Sequence, residues 1–287
     1  MSKIKELHKI YNPIIATPFK RTDTYMEYKP CEALQPYIRC YWGTRQPVIK
    51  KIVDNGITDI VIPDTCMDIM FTVDLTNGKV NNNFCGIDDK VMFAHDYNVQ
   101  EKEVFRFAIR FYGWGVHSFA EETLRDVKGT FFDVGYHFSA IKKEIEPLLY
   151  EFTDMYQLIP RVEQILLKHL KERKSEEMLQ AVYLMLCKKG NISVGELSGE
   201  LYTGERQLER LFREYIGVSP KSLAAMIRYQ YLWNDIVYMK RFNYLEAVMK
   251  YGYSDQTHLC HDFKKFHSMN ITEAREYAYR MSEIYNA

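Results

Sequence analysis

The chain has no surplus of charge. Its 38 Lys plus Arg are matched by 38 Asp plus Glu, so the formal net charge is +0. From residue 175 onwards the balance repeats, with seven Lys and seven Arg against fourteen Asp plus Glu. No global field pulls this protein towards nucleic acid or an acidic surface, so any such attraction must be local. Long hydrophobic runs are also missing. No stretch approaches the about 18 unbroken apolar residues that read as a membrane span. The opening MSKIKELHKIY is polar and charged, unlike a secretory leader. The six cysteines, Cys31, Cys40, Cys66, Cys85, Cys187 and Cys260, form no CxxC pair, which fits free thiols in a reducing cytoplasm. His95 and His117 lie far apart with no near His or carboxylate partner, so no metal or other cofactor is expected. No Ser/His/Asp constellation or glycine-rich phosphate loop appears, so no catalytic residue is predicted and the chain reads as a non-enzyme.

What is present is ordinary globular material, 47% hydrophobic and 26% charged over 287 residues, enough for two domains. Tyr (22) and Phe (16) are plentiful, which implies well-filled cores or an aromatic pocket. Residues 25–115 read as mostly β. Val48–Val53, Asp59–Ile62, Met67–Val73, Lys90–His95 and Val104–Tyr112 are short, β-branched and aromatic. Asp54-Asn55-Gly56 and Thr76-Asn77-Gly78 are hairpin signals between them. Such spacing predicts a small barrel or a two-sheet sandwich. Trp42, Asp64, Asp68, Arg110, Tyr112 and Trp114, with His117, combine aromatic walls and a few polar groups, the makeup of a small-molecule site. Each of them singly could equally be core or turn.

From about Phe119 the pattern turns helical. Helices are expected over Glu121–Lys128, over Ser139–Glu151 with Ser139 as cap, and from Pro160 to about Glu172. The last carries Val162, Ile165, Leu166, His169 and Leu170, a stripe suited to packing within the subunit or on a second one. The charge-dense run Lys171–Glu177 reads as a linker. Beyond it a scaffold helix from Ser175 to Lys188 ends at Gly190, a natural residue just past a helix C-terminus.

The most informative stretch lies between Ser193 and Arg275. Two units there share one rhythm. Ser193 with Glu196, and Asn243 with Glu246, have capping-box spacing. A short helix follows each. A break comes next, Tyr202-Thr203-Gly204 in the first unit and Gly252-Tyr253-Ser254 in the second. A second helix then buries Leu208, Leu211 and Phe212, or Leu259, Phe263 and Phe266. This is helix-turn-helix geometry, and the free face of each second helix has the form that enters a DNA major groove. The first face carries Arg206, Gln207, Glu209, Arg210 and Arg213. The second carries Gln256, Thr257, His258, His261 and Lys264. Arginine can fork onto guanine, glutamine onto adenine, and lysine onto phosphate. A solvated charged face is the plainer alternative for either helix alone, but two in register behind matching caps favour reading. Ser219-Pro220 caps a long helix, roughly Lys221 to Lys240, that spaces the two units.

These phrases carry a resemblance. The run Arg206-Gln207-Leu208-Glu209-Arg210-Leu211-Phe212-Arg213, with Gly217-Val218-Ser219-Pro220, resembles the DNA-binding domain of the AraC/XylS family of bacterial transcription regulators. So does Gly252-Tyr253-Ser254-Asp255-Gln256-Thr257-His258-Leu259 with Phe263-Lys264. The resemblance implies base readers at Arg206, Glu209 and Arg210, then at Gln256, Thr257 and His261. The sequence departs from the family pattern at Tyr202, where a turn glycine is usual, and at Gly204, where a serine cap is usual. It departs again at His261, where arginine is common, and at Ser268-Met269-Asn270-Ile271. His261 would weaken such a contact or make it pH-sensitive. Asn270 with Glu273 can still cap the last helix. Tyr41-Trp42, the stretch Pro63–Phe71 and the stretch Phe107–Phe119 resemble the cupin-like sensor domain of one branch of these regulators.

The expected class is α+β. Residues 1–172 form a β barrel or sandwich with trailing helices, for effector sensing and dimerisation. Residues 173–287 form an all-α DNA-binding domain, with helix-turn-helix units at about 193–217 and 243–267. The expected function is a ligand-responsive transcription regulator of the bacterial cytoplasm and nucleoid, acting as an activator. Its expected partners are double-stranded promoter DNA and RNA polymerase. The resemblance admits a small-molecule effector and a homodimer, and membrane is not a partner. The alternatives are a cupin-like metal-dependent enzyme and an interaction protein that no longer reads DNA.

Overall fold

The computed structural model describes residues 4–14, 25–50, 58–95, 101–171 and 176–281. The hairpin signal Asp54-Asn55-Gly56 and the helix start at Ser175 lie outside the described residues.

The N-terminal half opens with helix α1 (Ile4–Ile10) and is then built on antiparallel strands. These are β1 (Tyr25–Tyr28), β2 (Ile38–Thr44), β3 (Val48–Lys50), β4 (Thr58–Val61), β5 (Cys66–Asp74), β6 (Lys79–Cys85), β7 (Met92–His95), β8 (Lys102–Tyr112) and β9 (Phe131–Phe132). One sheet runs in the order β1-β2-β8-β5-β6-β9, with β3 also on β8, while β4 and β7 pair separately. Alternation gives the sheet two chemically distinct faces. Tyr41, Ile109, Ile69 and Phe84 are register neighbours across four strands, and all are buried. With Phe71, Phe107 and Phe111 they form the apolar face, against which Phe138 packs edge-on to Phe84 at 4.9 Å between ring centroids. The next level of the opposite face reads Cys40, Arg110, Asp68 and Cys85.

Strands β4, β5, β7 and β8 fall where periodicity predicts them, and Thr76-Asn77-Gly78 closes the β5–β6 hairpin, with Asp74 accepting from the Asn77 amide at 2.9 Å. Strand β6 lies outside the predicted set, because its asparagine run is poor strand material. Pairing with β5 along its length and bonds from Asn82 to Glu146 and to the Val134 amide hold it extended. Strands β1, β2 and β9 and helix α1 are likewise additions to the predicted elements.

The helical expectations need three corrections. Residues 121–128 form turns, not a helix. Leu124 and Val127 are drawn inward, and the Leu124 amide donates to the Glu214 carbonyl at 2.9 Å. Helix α2 (Gly135–Glu151) is kinked at Phe138 (φ −140°, ψ 43°), and the Ala140 amide beyond the kink is satisfied by the distant Glu121 carboxylate at 2.7 Å rather than by Ser139. Helix α3 (Met155–His169) starts five residues before Pro160, capped by Asp154, which accepts from the Tyr156 amide at 2.8 Å. Pro160 sits inside it on the exposed side, where the carbonyl that loses its donor can be hydrated. The α3 stripe packs within the chain: Val162 and Leu166 are buried, and His169 meets Glu144 of α2 at 2.7 Å.

The C-terminal half is all helix: α4 (Glu176–Cys187), α5 (Val194–Leu201), α6 (Glu205–Tyr215), α7 (Pro220–Tyr238), α8 (Tyr244–Tyr251), α9 (Gln256–His267) and α10 (Ile271–Met281). Ser219 caps α7 through the Ser222 amide at 3.0 Å, and Asn270 with Glu273 forms the reciprocal cap of α10. Helix α7 is buried on most sides, from Leu223 to Val237. The chain crosses it closely at Gly190, whose φ of +78° and missing side chain both matter, because a Cβ there would lie 2.2 Å from the Ala224 carbonyl oxygen. The apolar residues of the two halves form one continuous buried cluster. No helix of the described residues is long and apolar enough to cross a membrane.

Gly190→Ala is expected to lower stability by about 2 kcal/mol or more, from a left-handed backbone and a backbone clash together. Thermal unfolding should show a midpoint lower by about 5 °C.

Candidate nucleic-acid interface and a buried polar cluster

The first unit comprises α5 and α6. Its capping box is complete: the Glu196 amide donates to Ser193 Oγ at 3.2 Å, and the Ser193 amide to the Glu196 carboxylate at 2.7 Å. Tyr202 ends α5 in the left-handed region (φ 52°, ψ 35°) with its side chain 98% exposed, so it occupies the turn without packing on anything. Gly204 precedes α6 and supplies no side-chain cap. Leu208, Leu211 and Phe212 face inward, while Arg206, Gln207, Arg210 and Arg213 are exposed and Glu209 is half-buried. Arg210 lies 3.4 Å from Glu214, and Arg213 lies 3.7 Å from Glu209, one helical turn along in each case. Gln207 bridges to Glu177 at 3.3 Å and to Arg210 at 3.4 Å. Arg206 has no ion-pair partner among the described residues. The far end of α6 is held by the N-terminal half, where His117 packs on Tyr215 at 5.1 Å.

The second unit comprises α8 and α9. Asn243 caps α8 by accepting from the Leu245 and Glu246 amides, and Glu246 returns to the Asn243 side-chain amide at 3.0 Å. Gly252 takes the left-handed turn (φ 67°) that Tyr202 takes in the first unit. Asp255 caps α9 through the His258 amide at 2.8 Å. Leu259, Phe263, Phe266 and His267 are buried, and Gln256, Thr257, His258, His261 and Lys264 are exposed on the other side. His258 is not free, since it bonds Ser254 at 3.1 Å and stands edge-on to Tyr253. The predicted reading residues therefore gather on the open faces of two equivalent helices. The Arg228–Asp262 pair at 3.1 Å, which ties α7 to α9, is invisible to sequence reasoning, because nothing in periodicity couples residues so far apart.

In the N-terminal half the structure brings four of the pocket candidates together. Asp68 and Arg110 are opposite neighbours on β5 and β8, 3.4 Å apart. Arg110 also pairs closely with Asp64, and Trp42 donates its indole N–H to Asp68 at 2.7 Å. Arg110 and Asp64 are buried, with the Arg110 Nε lacking a hydrogen-bond partner. Burial pushes the Asp68 carboxyl up to about 7, against the pull of the Trp42 hydrogen bond. Cys40 and Cys66 lie nearby, and burial raises both thiols, so neither is primed as a nucleophile. Tyr112 and Trp114 stand apart as a parallel stack at 4.6 Å, with Trp114 Nε1 donating to the Pro36 carbonyl. They are wall rather than polar lining, and Tyr11 packs on Trp114 at 6.0 Å. Among the described residues no three His, Cys, Asp or Glu side chains come together in a way that could hold a metal.

The raised Asp68 carboxyl makes folding take up a proton. Its contribution to stability is full below the ordinary carboxyl value of 3.8 and is lost as pH rises through about 7. The buried His267, pushed down from 6.5 to about 3, acts in the opposite sense over an overlapping range, and the comparison with a variant at Asp68 alone cancels it. Compared with Asp68→Asn, the wild type should thus lose stability as pH rises from about 4 to about 7. A tryptophan fluorescence change with a midpoint near pH 7 should accompany this and vanish in the variant.

Comparisons with known proteins bear on both halves. Residues 197–277 match a family model described as a helix-turn-helix domain, and residues 26–133 match one described as a domain of unknown function. A search of curated protein sequences gives no match. Among solved structures, ToxT from Vibrio cholerae is similar at 11% identity, covering 83% of this chain and 98% of that chain with a TM-score of 0.37. Wild-type ToxT from Vibrio cholerae with unsaturated fatty acid bound is similar at 10% identity, covering 90% and 96% with a TM-score of 0.35. No residue role is read across at that similarity. The likeness of the N-terminal half to cupin-like domains rests on its sequence phrases. The chain carries a helix-turn-helix domain over residues 197–277, set behind a domain of unknown function over residues 26–133.

Proposed function

We propose that this protein is a sequence-specific transcription regulator, in which residues 173–287 read promoter DNA and residues 1–172 sense a small molecule. The observation that carries the reading is the repetition within the C-terminal half. Two second helices, α6 and α9, each bury one apolar seam and leave free the side chains suited to base edges and phosphates. The readers are Arg206, Gln207, Glu209, Arg210 and Arg213, then Gln256, Thr257, His258, His261 and Lys264. The ion pairs on α6 do not oppose this use. An exposed pair one helical turn apart contributes about 0.3–0.5 kcal/mol, whereas a good bidentate contact to guanine is worth about 1–3 kcal/mol, so DNA wins the arginine. With net charge +0 the chain has little non-specific affinity to add, so recognition leans on these local contacts.

Sensing is assigned to the cluster of Trp42, Asp64, Asp68 and Arg110, with Tyr112 and Trp114 as its aromatic wall. A buried arginine with an unpartnered Nε, shared between two carboxylates, is a site where a polar ligand group would gain directed bonds. Resemblance to the family supports activation through RNA polymerase, in the bacterial cytoplasm, by binding without chemistry.

Binding of the DNA upstream of its own coding sequence tests the reading. Arg210→Ala and Gln256→Ala should each weaken specific binding by about 10-fold or more, and the double variant by more than either. Arg213→Ala should act mainly through phosphate and make binding less steeply dependent on salt. A double variant that binds as tightly as wild type would remove these residues as readers.

A further inference from the structure

The readers of the second unit sit on one face of α9, and the apolar seam behind them fixes that face only coarsely. Leu259, Phe263 and Phe266 are buried, and the rings of Phe263 and Phe266 meet Tyr229 and Trp233 of α7 in tilted or stacked arrangements at 5.0 to 5.7 Å. Such packing settles which side of α9 is buried but tolerates small rotations about its axis. Directional contacts do not. Arg228 on α7 donates Nη2 to Asp262 Oδ2 at 3.1 Å, and Tyr253 in the α8–α9 turn donates its hydroxyl to the same oxygen at 3.2 Å. The Arg228 guanidinium lies 4.4 Å from the Tyr253 ring centroid, which closes a three-sided clamp. The Arg228 backbone is itself pinned, since a Cβ on Gly190 would lie 2.5 Å from its nitrogen. Asp262 follows His261 directly and precedes Lys264 by two positions, so the clamp acts beside the reading face. A second directed contact, Tyr229 to His267 Nδ1 at 2.7 Å, fixes α9 at its far end.

We propose that Arg228, Asp262 and Tyr253 are positioning residues that set the rotation of α9 and thereby the base preference of the second reading segment. This rests on the DNA-reading assignment above. A helix with its side chains is about 10–12 Å across, so a turn of about 10° carries a side-chain tip by about 1 Å. That exceeds the roughly 0.5 Å window of a hydrogen bond and would break a bidentate contact from Gln256 to adenine. The Arg228 and Asp262 side chains are only 18% and 16% exposed, so the pair is largely shielded from solvent and losing one partner costs stability as well as orientation. The orientation effect is read from motif preference in the folded variant. In the first unit the directed contacts are of another kind: Gln207 reaches Glu177 of α4 at 3.3 Å, Arg125 lies 3.9 Å from Glu214, and the remaining ion pairs of α6 run along its own surface.

The test is selection of bound duplexes from a random-sequence pool by the full-length chain, comparing wild type with Asp262→Asn, which keeps the side-chain size and removes the charge. Wild type should enrich two motifs about one helical turn apart, and Gln256→Ala identifies the one read by α9. Asp262→Asn should lose preference in that motif by about 10-fold while the α6 motif keeps its own. Tyr253→Phe, which removes only a hydroxyl, should shift the same motif by about threefold, and it remains informative if Asp262→Asn fails to fold. Exchanging the charges in Arg228→Asp with Asp262→Arg should recover part of the lost preference. Unchanged preference in the α9 motif in folded Asp262→Asn and Tyr253→Phe overturns the clamp, as does equal loss in both motifs. If wild type enriches no motif at all, the DNA-reading assignment itself falls and takes the clamp with it.

Discussion

Burial of the connecting helix α7 on nearly every side is the constraint on which the rest of the molecule depends. Its apolar flanks join the core of both halves, and several of its polar side chains hold different neighbours. Ser222 bonds Asp89, which also pairs with Lys128 at 2.7 Å. Gln230, almost wholly buried, donates to the Pro63 carbonyl at 2.6 Å and accepts from the Ile14 amide at 2.8 Å. Asp235 accepts from Lys250 and from the Tyr251 hydroxyl, both at 2.6 Å, and so fixes α8. Because a buried amide or carboxylate left without its partner is costly, these bonds leave α7 little freedom relative to any element it touches. The two recognition helices inherit their spacing from it.

The two halves are therefore mechanically continuous at several places, one of which reaches the buried polar cluster. Asp64 pairs with Arg110 inside the sheet, and the carbonyl of the preceding residue, Pro63, accepts from Gln230 on α7. Any rearrangement of Arg110 acts on a segment bonded directly to the helix that spaces the readers. The first unit has a second connection, through the Leu124 amide on the Glu214 carbonyl and His117 on Tyr215. The second unit bonds α7 instead, through Asp262, His267, Lys250 and Tyr251.

Legibility in the sequence follows the range of the forces involved. The helix-turn-helix units are readable because caps, turns and the Leu208–Phe212 and Leu259–Phe263 seams are local, and each lies within about one turn of helix. Strands β5 and β8 are readable for the same reason. Residues 121–128 mislead because Leu124 and Val127 answer to Glu214 and Gly217, far along the chain, and tertiary contact overrides local propensity. Asparagine-rich β6 escapes notice because pairing with β5 outweighs its composition. Of the pocket candidates, the polar four converge because Asp68 and Arg110 occupy one cross-strand position, which strand register reveals and sequence does not. Tyr112 and Trp114 satisfy the same compositional rule and stack on each other rather than joining the polar bonds.

The most direct measurement is hydroxyl-radical footprinting of the full-length chain on the DNA upstream of its own coding sequence, at two salt concentrations. If α7 holds two readers in fixed relation, protection should fall on two neighbouring major-groove segments of one DNA face, about 34 Å apart, and both should weaken together as salt rises. Protection of a single segment, or none at low salt, would contradict a tandem reader.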